Sequence, residues 1–176
     1  MPSTSRTVRT TARALIAASV ACGLTAPAYA DDCSPVKQAM LAAANTPHTS
    51  TITRVEDGKT VTRRMIQTKD QRYVETKGQW RSMPVAPEDQ AEREKSLDAA
   101  KLTCSRLGSE TVNGVAATVY AVHIVNEDVT SDGKIWLGDR GLPLKVENAS
   151  EGRNFTTTLD FDHADAPPDA QPLSAR

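Results

Sequence analysis

Aromatic residues are scarce: two Trp, three Tyr and two Phe among 176 residues. Any apolar interior must therefore come mainly from aliphatic side chains. There is also no basic excess, since 21 Lys and Arg face 22 Asp and Glu. The first thirty residues hold three of those bases and no acid, so the remainder carries 18 bases against 22 acids, a net charge of −4. That mildly acidic balance argues against nucleic acid as a main partner. Beyond Leu24 no segment approaches the roughly 18 consecutive apolar residues of a transmembrane helix. No CxxC pair indicates a redox catalyst. There is no GxSxG elbow, no HExxH and no glycine-rich phosphate loop. No catalytic residue, metal ligand or cofactor is assigned, and the protein is not expected to be an enzyme.

The most informative segment is the first. Arg6, Arg9 and Arg13 precede an apolar run from Ala14 to Leu24, and Ala28-Tyr29-Ala30 follows. A positive region, a short apolar region and small residues at a cleavage site describe a secretory signal peptide over residues 1–30, with Ala28 and Ala30 marking the cut. The arginines are separated, so the twin-arginine route is not indicated. Acylation at Cys22 is a second reading. The mature chain begins near Asp31 and is expected in the periplasm or outside the cell, as a monomer. Its 146 residues suit one domain.

Only Cys33 and Cys104 remain after cleavage. In an oxidising compartment two cysteines most simply pair with each other; free or metal-bound thiols are the other reading.

Ser34-Pro35 reads as an N-cap followed by proline in the first helical turn, and predicts a helix from about Pro35 to Ala44. From Ser50 to Met83 the texture is Thr, Val, Ile, Arg and Tyr, punctuated by Asp57-Gly58, Lys69-Asp70 and Lys77-Gly78, which predicts antiparallel hairpins. Pro87 to Leu102 predicts a second, mostly polar helix that delivers the chain to Cys104, so a disulfide would join the start of one helix to the end of the other. Val115 to Val125 reads as a strand covered on both faces. Lys134 to Leu137 reads as a short strand entered through Asp132-Gly133. The stretches 142–147 and 154–161 alternate as half-buried strands, with Pro143 at an edge or a strand start. The domain should run over residues 31–163. The Pro-rich stretch 164–176 is expected to be disordered.

The densest group of potential metal ligands, Asp160 to Asp165, does not converge on one ion in a strand and reads as a solvated strand end. His48 and His123 are isolated, and His123 is expected to be packed or hydrogen-bonded. Eight basic residues fall between Arg54 and Arg81. Arg54, Arg63, Arg64 and Arg72 among them are candidates for a patch that meets an anionic headgroup or an acidic partner.

Three motifs carry a family resemblance. They are Leu107-Gly108-Ser109-Glu110-Thr111-Val112-Asn113-Gly114 leading to Tyr120, Gly133-Lys134-Ile135-Trp136-Leu137 followed by Gly141-Leu142-Pro143-Leu144-Lys145, and Phe155 to Phe161. Together with the helix and strand order, they resemble the periplasmic lipoprotein-carrier superfamily, which includes the LolA and LolB carriers and the lipid-sensing domain of RseB-type regulators. The resemblance implies an α+β fold: a strongly curved antiparallel β-sheet, an open half-barrel, with helices covering its concave face. It also implies an apolar concave face that receives acyl chains. The matching inward candidates are Tyr120, Val122, Trp136, Leu144, Phe155, Leu159 and Phe161, which would serve equally as a plain packed core. The expected function is binding of a lipid, acyl chain or other hydrophobic ligand in the cell envelope. The alternative is an envelope protein-interaction or stress-sensing module with a filled interior.

Overall fold

The computed structural model describes residues 32–126, 130–150 and 152–173. The expected signal peptide, with Ala28, Ala30 and Cys22, lies outside the described residues. The chain begins with helix α1 (Ser34–Asn45) and continues through four strands, β1 (His48–Glu56), β2 (Lys59–Gln67), β3 (Gln71–Thr76) and β4 (Gln79–Pro84). Helix α2 (Pro87–Ala99) then leads into β5 (Lys101–Val112), β6 (Val115–Val125), β7 (Thr130–Gly138), β8 (Pro143–Ser150), β9 (Arg153–Asp160) and a two-residue β10 (Gln171–Pro172). The strands form one open sheet in the order β10-β4-β3-β2-β1-β9-β8-β7-β6-β5. All neighbours are antiparallel except β10 and β4.

Turn chemistry explains the hairpins. Asp57-Gly58, Lys77-Gly78 and Asn113-Gly114 each place both residues at positive φ, the geometry of a two-residue turn whose twist matches that of the flanking strands. The third of these joins β5 to β6 and exposes an error in the sequence reading. The second helix does not reach Leu102 but ends at Ala99, and from Lys101 the period changes from helical to alternating, with Cys104 buried between exposed Thr103 and Ser105. The Asp132-Gly133 turn is also absent, because both residues lie inside β7. A Cβ on Gly133 would overlap the Glu147 carbonyl oxygen of β8, so this glycine permits close strand approach rather than a bend. Pro143 does begin a strand, but β8 is internal.

Helix α1 lies against one face of the sheet. Val36 and Ala39 are fully buried and pack with Cys104, Val122, Ile135 and Leu137. The small Ala39 and Ala43 let the helix sit close to the strands. Its N-cap position is Cys33 rather than Ser34, and the Asp32 carboxylate just before it accepts hydrogen bonds from the Ser34 N–H (2.9 Å) and Oγ–H (2.6 Å). Cys33 and Cys104 are disulfide-bonded, with Cα atoms 5.4 Å apart. Because Cys104 belongs to β5, the bond fastens α1 to the sheet and leaves α2 without a covalent tether. Only Leu97 of α2 is buried, and an ion pair from Lys37 to Asp98 links the two helices.

The opposite face carries a smaller core of Val112, Ala117, Val119 and Trp136, with Leu144 packed against it. The Trp136 indole N–H donates to Glu110 Oε2 at 2.8 Å, and Lys145 Nζ lies 4.3 Å from the ring centroid. The tail departs from expectation. Gln171–Pro172 runs parallel to β4, and the Leu173 N–H donates to the Ser82 carbonyl at 2.8 Å. An edge strand has a row of unpaired backbone groups, and an extended proline-containing segment is preorganised to meet them. Among the described residues, no helix is long and apolar enough to cross a membrane.

Candidate functional site

Between the two helices and the sheet lies a cleft of about 870 Å³. Its floor comes from four adjacent strands through Ile124 of β6, Ile135 of β7, Pro143 and Val146 of β8, and Leu159 of β9. The strand register explains this convergence. Val146 pairs with Ile135 on one side and Thr157 on the other, and residues opposite one another across a ladder share a face. Helix α1 adds Met40 and Ala43 as one wall. Helix α2 adds Leu97 together with the polar Asp89, Glu92, Arg93 and Ser96, and Ala100 follows just past its C-terminal end. The result is an apolar floor with a partly charged rim.

The cleft continues toward β1, β2 and β3 as a second space of about 340 Å³ that shares Met40, Ala43, Arg72, Arg93, Thr157 and Leu159 with the first. Here the lining turns polar. His48 is buried, with its Nδ1 2.8 Å from the Thr46 carbonyl and its ring 5.3 Å from that of Phe161. Burial holds the His48 pKa below the usual histidine value; the Thr46 carbonyl opposes this, and the charges of Arg72 and Arg93 reinforce it. The imidazole is therefore neutral near pH 7, with Nδ1–H as the donor to Thr46. Gln67 donates from Nε2 to the Ala44 carbonyl at 2.6 Å, and its Oε1 accepts a long hydrogen bond from Arg72 Nη2 at 3.4 Å. Ser50 Oγ and Arg72 Nε are buried with no hydrogen-bond partner among the described residues.

The seven apolar candidates from the sequence do not gather in this cleft. Leu159 lines it. Tyr120 and Val122 belong to the packed core beneath α1. Trp136 and Leu144 lie on the other face, which corrects their expected inward placement. Strand β7 is buried on both sides at Ile135, Trp136 and Leu137, so hydrophobicity gives no parity. A register shift between Trp136 and Leu137 makes Leu144 the extra residue of a bulge in β8. Phe155 borders a separate depression with Arg54. Phe161 follows the end of β9, against His48.

The four arginines do not form a patch either. Arg54 is ion-paired with Glu56 at 2.6 Å. Arg63 and Arg64 are neighbours in β2 and so face opposite ways. Arg64 lies 3.9 Å from Glu75 and 5.5 Å from the Trp80 ring centroid, whereas Arg72 lines the cleft. His123 contacts Asp132 Oδ1 at 2.7 Å and His163 contacts Asp160 Oδ2 at 2.8 Å, both on exposed surface. No serine or cysteine joins either pair among the described residues, nor does any group of three His, Cys, Asp or Glu side chains there suit a metal ion.

The polar cluster of His48, Ser50, Gln67, Arg72 and Arg93 escaped the sequence reading. One signal was available, since His48, Ser50 and Ile52 alternate with Thr49, Thr51 and Thr53, which puts the first three on one face of β1.

No family model matches the chain, and no curated protein matches it. Among solved structures it is similar to the lipoprotein LppX of Mycobacterium tuberculosis, at 10% identity and a TM-score of 0.46 over 72% of this chain and 91% of that one. It is similar to LprF from Mycobacterium bovis at 10% identity and a TM-score of 0.45, covering 77% and 96%. MucB in its complex with MucA(peri) aligns at 18% identity and a TM-score of 0.43, covering 80% of this chain and 60% of MucB.

Proposed function

We propose that the protein is an exported, non-enzymatic binding protein that holds an acyl chain or another hydrophobic ligand in the cleft beneath its helices. The carrying observation is the cleft itself, whose volume of about 870 Å³ falls within the roughly 300–1,000 Å³ range of ligand sites. Each methylene taken from water onto its apolar floor contributes about 0.8 kcal/mol. In this reading the helix-covered side is the concave face of an open half-barrel. Helix α1, bonded to β5, is a fixed wall, and α2, held by one buried leucine and one ion pair, is the lid. Export is supported by the signal-like first thirty residues and by a disulfide that suits an oxidising compartment.

The test is native mass spectrometry and lipid extraction of protein purified from its own envelope, with displacement of a fluorescent fatty acid as a second readout. A co-purifying hydrophobic ligand, and loss of probe binding by at least about tenfold in Leu159→Asp, are expected. The reading fails if nothing co-purifies and no probe binds.

A further inference from the structure

One end of the cleft differs chemically from the rest. The space of about 340 Å³ beyond Thr157 and Leu159 has two charged residues in its lining, Arg72 and Arg93, both cationic. The acids Asp89 and Glu92 border only the larger chamber. Neither arginine has an ion-pair partner among the described residues, and Arg72 has the Gln67 amide as its sole hydrogen-bond acceptor. That amide is already committed to the Ala44 carbonyl through Nε2, so it can orient the guanidinium but cannot neutralise it.

Two buried polar atoms here lack partners. Ser50 is 1% exposed, and its Oγ has no partner among the described residues; the Nε atom of half-buried Arg72 is likewise buried and unpartnered there. Buried donors are almost always satisfied, so unsatisfied ones beside a cavity point to an acceptor that enters it. An anion is the acceptor that also answers two unpaired guanidinium groups, which bind carboxylate and phosphate oxygens through charge-assisted hydrogen bonds. The adjoining lining at Leu159 and Met40 is apolar and continuous with the larger chamber.

We propose that this end of the cleft receives the anionic head of an amphiphile, a carboxylate or phosphate at the end of an acyl chain, between Arg72, Arg93 and the Ser50 hydroxyl. The inference rests on the acyl-chain reading above and adds the head-group class and its position. The chain would then lie along Leu159, Ile135 and Val146, with the head toward β1 and β3.

Binding of palmitate, hexadecyl phosphate, hexadecanol and inorganic phosphate to the mature protein, measured by calorimetry, separates the possibilities. Palmitate and hexadecyl phosphate are expected to bind at least about tenfold more tightly than hexadecanol. Arg72→Gln combined with Arg93→Gln should abolish that preference while hexadecanol binding persists. Ser50→Ala deletes a hydroxyl with no internal partner and so leaves the fold intact; it should weaken the anionic probes by about threefold and leave hexadecanol unchanged. Equal binding of palmitate and hexadecanol by the unaltered protein would overturn the head-group inference and leave the acyl-chain reading standing. Failure of all three chain-bearing probes would remove both. Inorganic phosphate binding as tightly as hexadecyl phosphate would make this a free-anion site and overturn the amphiphile proposal.

Discussion

Cys33, at the start of α1, is bonded to Cys104 in β5 across 71 positions of sequence. The bond gives the two helices different mechanical roles. Helix α1 cannot leave the sheet without reduction, whereas α2 can move without breaking a covalent bond. On the chain-entropy account, closing so long a loop stabilises the fold by roughly 4 kcal/mol. Replacing both cysteines by alanine should lower the unfolding free energy by about 2–5 kcal/mol in denaturant melts. Reduction of the unaltered protein should raise its intact mass by two hydrogens.

Helix α2 should be the least protected regular element on this side of the sheet. With Leu97 as its one buried residue, its amides should exchange with deuterium at least about tenfold faster than those of α1. Added palmitate should slow them. Asp98→Asn, which removes the ion pair with Lys37, should cost less than about 1 kcal/mol because both groups are solvated. Equal protection of α1 and α2 in the free protein would sink the lid assignment.

Trp136 separates the two faces experimentally. Trp136→Phe gives up the hydrogen bond to Glu110 and weakens the Lys145 contact, at a cost of about 1–2 kcal/mol. It should leave fatty-acid affinity unchanged, because Trp136 packs on the face away from the cleft. A loss of affinity matching that of Leu159→Asp would return Trp136 to the ligand site.

His48 should make stability depend on pH. Its folded pKa is lowered, first by burial, so the unfolded chain binds its proton more readily than the native one. That contribution is present above the ordinary histidine value near 6.5 and is lost as pH falls from there through the lowered folded value. His163 has the opposite sign: the Asp160 carboxylate raises its pKa, and any benefit disappears as pH rises through that raised value. Urea melts between about pH 7.5 and 5 should therefore show declining stability. The decline should flatten in His48→Gln and persist in His163→Asn.

Where local chemistry is decisive, the elements could be read from the chain. Asp57-Gly58 and Lys77-Gly78 dictate tight hairpins, the apolar run at Val115–Val125 is β6, and Pro35 marks the first turn of α1. The α2 to β5 boundary was misplaced because the helix passes into the strand with no glycine or proline between Ala99 and Lys101. Gly133 looked like a turn because a glycine needed for close strand approach has the same one-letter signature as one needed for a bend. The floor of the cleft could not be assigned where β7 is apolar on both faces. The polar end was hidden for a different reason: His48, Gln67 and Arg72 come from three strands and Arg93 from a helix, and only tertiary folding brings them together.

The two ends of the sheet are unequal. At one, β10 covers β4 with just two residues, one of them Pro172, which has no N–H to offer a further strand; Arg81 Nη1 anchors Gln171 at 2.9 Å. At the other, β5 presents twelve residues, interrupted by the irregularity between Arg106 and Gly108. Among the described residues β5 is thus the longest open edge, and addition of strands from other molecules is favoured there over the β4 side. Two molecules meeting through β5 about a twofold axis would each cover that edge, so growth there would stop at a pair instead of propagating into a fibre.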